Sequence, residues 1–98
     1  MKKDEPSTIG ELIVQKRDVL DWSQDELAFQ SGLSRKALSK IETGKSIPHL
    51  PTFHKIAKAL GMKGSELFKE IEDRGLIDDL LRNRGKNKEK QSQTDLNK

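Results

Sequence analysis

There is no cysteine in this chain, which excludes a disulfide framework, a thiolate metal site and thiol redox chemistry, and fits an ordinary reducing cytoplasm. No apolar run approaches the roughly 18 residues that a membrane span needs. The opening MKKDEPST also lacks the apolar core of a secretory signal, so a soluble cytoplasmic protein with no membrane partner is expected. No segment reads convincingly as a strand. Nothing places a base beside a nucleophile, and there is no glycine-rich phosphate loop. The acids of IEDRGLIDDLL simply alternate with apolar residues on a helix. No enzyme activity, catalytic residue or cofactor is therefore expected. His49 and His54 have no cysteine or paired acid at ligand spacing, so no metal site is expected either.

What is present is charge, unevenly placed. The 98 residues carry a formal net charge of +3, and a length of that order suits a single domain with one core. Residues 82–98 hold +4 of charge, which leaves residues 1–81 at −1. Within that near-neutral body, Arg35, Lys36, Lys40 and Lys45 are opposed over 34–45 only by Glu42. Such patchy basicity suggests a surface addressed to a polyanion.

Helical periods run through residues 8–81. Ile9, Ile13 and Leu20, with Leu12 and Lys16 between them, predict a first helix from Thr8 to about Leu20, capped by Ser7 or Thr8. Ser23 followed by Glu26 matches a capping box, and a short second helix with Leu27 and Ala28 inward should stop at Gly32. Ser34 can cap a third helix that buries Leu38 and Ile41 and ends near Thr43 and Gly44. Pro48 and Pro51 mark a loop and the opening of a fourth helix, with Leu50, Phe53, Ile56, Ala57 and Leu60 on its apolar stripe before Gly61. A fifth, from Gly64 to about Asp73, is expected to bury Leu67, Phe68 and Ile71. Leu76, Ile77, Leu80 and Leu81 form one face of a short sixth helix within 74–84. The expected organisation is all-α: a flexible arm over 1–6, a compact bundle of five helices over 7–73, the short extra helix, and a disordered basic tail over 85–98.

The stretch SQDELAFQSGLSRKALSKIETG then becomes a helix, a glycine turn and a second helix, which fits the helix-turn-helix motif over about 24–43. Arg35, Lys36, Ser39 and Lys40 share one face of the second of these, opposite Leu38 and Ile41. A helix N-terminus offers backbone N–H groups to phosphate, and long basic side chains reach guanine O6 and N7, so double-stranded DNA is the expected partner.

The blocks SQDELAFQSGLS, SRKALSKIETGKSIP, FHKIAKALG and SELF, in that order over about 60 of the 98 residues, resemble the phage-repressor-like helix-turn-helix family of Cro and the lambda-type repressors, also called XRE. The resemblance implies a five-helix bundle that binds DNA, commonly as a dimer on paired half-sites. It assigns Gln24 to a phosphate at the start of the second helix. It gives Arg35, Lys36, Ser39 and Lys40 to base reading, with Lys36 and Lys40 able instead to neutralise phosphate, and Thr43 and Lys45 to the backbone. Ser34, at the cap of the reading helix, joins this DNA-binding set. Arg17 and Glu42 match a family ion pair that ties the first helix to the end of the third. Trp22 matches an apolar position and is expected as a plug under the turn.

The sequence departs from the family pattern at Leu12, Val14, Phe29 and Lys63. Leu12 and Val14 stand where polar residues are usual, Phe29 replaces a polar residue, and Lys63 replaces a small capping residue. Leu12, Val14, Leu76, Ile77, Leu80 and Leu81 are read either as a terminal helix covering the first helix or as surfaces that meet across a dimer or against a partner. Both readings are open at this point. The expected function is that of a sequence-specific transcriptional regulator, a repressor by preference, acting in the cytoplasm on the nucleoid as a homodimer on an inverted repeat. The alternative is a protein-interaction module, such as an antitoxin or a regulator whose terminal helix docks a partner protein.

Overall fold

The computed structural model describes residues 5–78 and 80–81. Most of the expected arm over 1–6, part of the sixth helix and the whole of the tail over 85–98 lie outside them. The described residues form five α-helices: α1 (Ile9–Val19), α2 (Gln24–Ser31), α3 (Arg35–Glu42), α4 (Leu50–Ala59) and α5 (Gly64–Asp73). The chain is helical again at 76–78 and 80–81, where a sixth element is expected.

Side-chain oxygens open the first three helices. Thr8 Oγ1 accepts from the Glu11 N–H at 3.1 Å, Ser23 Oγ from Glu26 at 3.0 Å, and Ser34 Oγ from Ala37 at 3.0 Å. Each satisfies one of the backbone donors that a helix start leaves without a partner. The box expected at Ser23 is only half formed, because the Glu26 carboxylate accepts instead from Gln30 Nε2 at 2.7 Å. At α5 the other half is used: Lys63 has no capping oxygen, and its backbone N–H donates to Glu66 Oε1 at 2.9 Å. Between α2 and α3, Gly32 sits at φ 76°, a left-handed conformation that lets Leu33 N–H reach back to the Ala28 carbonyl at 3.0 Å.

Two apolar clusters make the core, and α1 and α4 supply both. Ile13 packs with Leu27, Ala28, Leu38, Ile41 and Ile56, over which Trp22 and Leu33 lie half-buried, as expected of Trp22. The next residue back, Leu12, packs with Ala57, Leu67, Ile71 and Leu76. Adjacent side chains, 12 with 13 and 56 with 57, thus face opposite clusters. Each fully buried leucine or isoleucine is worth roughly 1.5–3 kcal/mol against exposure.

Leu12 and Leu76, 0% and 3% exposed, belong to one intramolecular cluster, so the chain after α5 folds back over α1. Neither is a surface side chain, and of the six residues read as a dimer or partner surface these two are spent inside the chain. Val14, Ile77 and Leu80 are half-buried and Leu81 is exposed. Two core assignments need correction. Phe68 is 43% exposed, at the surface end of an edge-to-face pair with Phe53 whose ring centroids lie 6.5 Å apart at 82°. Leu50 is 79% exposed, because it begins α4 one turn beyond the part that packs.

Candidate nucleic-acid interface

Helix α3 has two dissimilar faces. Leu38, Ile41 and Glu42 are buried, whereas Arg35, Lys36 and Lys40 are exposed and Ser39 is half-exposed. After Thr43 the chain turns sharply at Gly44, and the N–H groups of Lys45 and Ser46 both donate to the Lys40 carbonyl, at 2.8 and 3.1 Å. That turn folds Lys45 back beside the helix. Thr43 Oγ1 donates to the Ser39 carbonyl at 2.8 Å, which fixes its side chain along the same edge.

These residues converge. A shallow surface depression is lined by Gln24, Arg35, Lys36, Ser39, Lys40, Thr43 and Lys45, seven of the eight residues read from the sequence as DNA-binding. Four of the seven are cations and none is an acid. Ser34 is the exception. Its hydroxyl is occupied in capping α3, and it lines a neighbouring depression with Lys36, Lys40, Ile47 and Pro48.

The depression is held in shape from beneath. Arg17 Nε donates to Glu42 Oε2 at 2.8 Å and Nη2 to Oε1 at 2.9 Å, while Nη1 donates to the Trp22 carbonyl at 3.1 Å. Gln24 Nε2 donates to the same Glu42 Oε1 at 2.8 Å. One carboxylate therefore anchors α1 and the first residue of α2 to the last residue of α3, and Arg17 ties in the loop before α2 through the Trp22 carbonyl. The hydrogen bond from Arg17 to Glu42 raises the Arg17 pKa above its already high value, against an opposing effect of burial. Gln24 thus lines the depression with its amide nitrogen already donating to Glu42.

Helix α1 must come close to α3 for this pair to form, and Gly10 permits it. A Cβ built at Gly10 would clash with the Glu42 carbonyl oxygen and lie 2.5 Å from the Ile41 oxygen and 2.7 Å from the Glu42 carbonyl carbon. No sequence reading singled out Gly10, since a glycine inside a helix period looks like a tolerated defect.

Asp25 was also missed. It stands in the first turn of α2 with Oδ1 3.2 Å from Arg35 Nε, and both side chains are largely exposed. An apolar groove on another side of the domain is lined by Ile47, Pro48, Leu50, Phe53, Phe68, Ile77 and Leu80. Among the described residues no His, Asp and Glu side chains cluster in a way that would hold a metal, and no helix is long and apolar enough to cross a membrane.

Residues 13–67 match the model of the helix-turn-helix family. The control protein C.MunI of a Mycoplasma species is 40% identical over 57 residues, which is 58% of this chain and 77% of that protein. An uncharacterised helix-turn-helix transcriptional regulator of Methanothermobacter thermautotrophicus is 35% identical over 68 residues, 69% of this chain and 90% of that protein. No solved structure is a significant match. With the capped helix pair, the glycine turn and the matched span coinciding, the chain belongs to the helix-turn-helix family of DNA-binding proteins, in its phage-repressor-like (Cro and lambda-repressor, XRE) form.

Proposed function

We propose that the protein is a sequence-specific transcriptional regulator, acting as a repressor in the cytoplasm, that lays α3 in the major groove of double-stranded DNA. The observation that carries the reading is the depression in which Gln24, Arg35, Lys36, Ser39, Lys40, Thr43 and Lys45 meet, cationic on a helix face whose other side is core. Arg35 reads a base, Lys36 and Lys40 divide between base edges and phosphate, and Gln24, Thr43 and Lys45 set the register on the backbone. The protein is a DNA-binding module without catalytic chemistry of its own.

A single helix of eight residues presents too few base-reading side chains for operator-level specificity. The proposal therefore includes a second copy, meeting the first through the apolar groove at Leu50, Phe68 and Leu80. Ile47 and Pro48 line both that groove and the neighbouring depression that holds Ser34, Lys36 and Lys40, so a partner seated there lies beside one flank of α3. The operator is then an inverted repeat with half-sites about one helical turn apart. The same groove is what a protein antagonist or toxin would use under the competing reading. Selection of bound sequences from random duplexes at two salt concentrations decides between them. An enriched inverted repeat whose affinity falls steeply with salt is expected, and the absence of any enriched motif would sink the regulator reading.

A further inference from the structure

Arg35 is the best-placed base reader, yet an exposed arginine on a short helix has many rotamers and gains specificity only when its guanidinium is held in one plane. Asp25 supplies that restraint. It stands in the first turn of α2, one residue after Gln24, and its Oδ1 lies 3.2 Å from Arg35 Nε across the turn between the helices. A carboxylate at the Nε side leaves the end-on edge, Nη1 with Nη2, as the edge to meet a base, and that edge matches guanine O6 and N7 as a two-point acceptor.

We infer that Asp25 is a positioning residue that orients Arg35 for end-on, two-point recognition of one guanine, and that it weakens binding to DNA lacking that guanine. The second effect follows from its charge. A carboxylate beside the phosphate-facing start of α2 is repelled by every DNA sequence alike, and only a correctly engaged Arg35 offsets it. The pair is not there for stability, because two side chains 67% and 71% exposed gain little from pairing in water.

The inference rests on the proposed reading of a base by Arg35, and the experiment separates the two. Full-length wild type, Asp25→Asn, Arg35→Ala and the double variant are titrated with the selected operator. They are also titrated with three duplexes in which the guanine assigned to Arg35 is replaced by each other base, and with a non-specific duplex. Wild type is expected to prefer guanine by about tenfold or more, the low end of a good two-point contact. Asp25→Asn should cut that preference to about threefold, raise non-specific affinity about two- to threefold, and melt within a degree or two of wild type. In the Arg35→Ala background, Asp25→Asn should leave base preference at that position unchanged, the signature of action through Arg35. If Arg35→Ala erases the preference while Asp25→Asn keeps it in full, the positioning role is overturned and the base-reading role stands. If Arg35→Ala itself keeps the preference, both are overturned.

Discussion

Arg17 and Glu42, 25 residues apart in sequence, are joined by two parallel hydrogen bonds of 2.8 and 2.9 Å, with the carboxylate almost wholly enclosed. The pair couples the position of α3 to α1, the first helix of the core. Truncating one partner leaves the other buried with its charge unmatched, which typically costs far more than the pair itself contributes. Glu42→Ala should therefore lower stability by about 3 kcal/mol, and Arg17→Met with Glu42→Met should recover most of it. Urea denaturation of the three proteins measures both, and a Glu42→Ala protein within about 0.5 kcal/mol of wild type would contradict the coupling.

The cationic residues of α3 should separate into two kinds by their salt behaviour. Arg35→Ala should cost about 1–3 kcal/mol, concentrated at one base position. Lys36→Ala or Lys40→Ala, where the lysine meets phosphate, should weaken binding evenly across sequences and flatten the salt slope by about one. Titrations at several salt concentrations on operator and mismatched duplexes read out the difference.

Gly10→Ala tests the approach of α1 to α3. Helix propensity alone would favour alanine by roughly 1 kcal/mol, but the new Cβ meets backbone atoms of Ile41 and Glu42 that cannot move without shifting the end of α3. A net loss of about 2 kcal/mol is expected, seen as a fall of about 10 °C in melting temperature for a domain of this size. A higher melting point would mean that the helices are not so closely apposed.

Glu70 links α5 to α1 and carries a pH signature. Lys16 Nζ lies 2.6 Å from Glu70 Oε1, and Arg74 Nη2 lies 2.9 Å from Oε2. The hydrogen bond from Lys16, helped by Arg74, holds the Glu70 carboxyl below the ordinary value of 4.5, against burial acting the other way. A lowered folded-state pKa stabilises above the unfolded value, and the contribution disappears as pH falls through the folded value. Glu70→Gln should thus cost on the order of 1 kcal/mol at pH 7, and its stability should converge with that of wild type as pH drops below about 4.5. A gap that stays constant down to pH 2 would count against the ion pairs.

Phe68→Glu tests the groove as the dimer contact. The side chain is already half-exposed, so the monomer should keep its fold while self-association weakens at least tenfold. Sedimentation equilibrium alone and with operator, beside circular dichroism, separates lost assembly from lost structure. An unchanged dimer would place the contact elsewhere.

Much of the fold was legible because it rests on local rules. Ser23 and Ser34 cap the helices they were expected to cap, Gly32 takes the left-handed turn, and Leu27, Leu38, Ile56 and Leu67 reach the core from their helical spacing. What escaped depends on which faces other elements cover. Periodicity places Leu50 and Phe68 on the apolar stripes of their helices, but a stripe does not tell whether anything lies over its end. Gly10 and Asp25 were missed for a related reason, since one is informative only through the Glu42 backbone and the other only through Arg35. Seven of eight DNA-contact candidates meet in one depression because they sit at one end of one motif, where sequence proximity and spatial proximity coincide.

The two faces of α3 also bear on redesign. The side chains that hold the domain together and those directed outward are different residues of one helix, so Arg35, Lys36, Ser39 and Lys40 can be randomised together without entering the core. A library at those four positions, with Glu42, Arg17 and Gly10 untouched, should yield mostly folded proteins, each a starting point for a new operator preference. Asp25 belongs in the same library, because a new residue at position 35 needs its own neighbour to hold it.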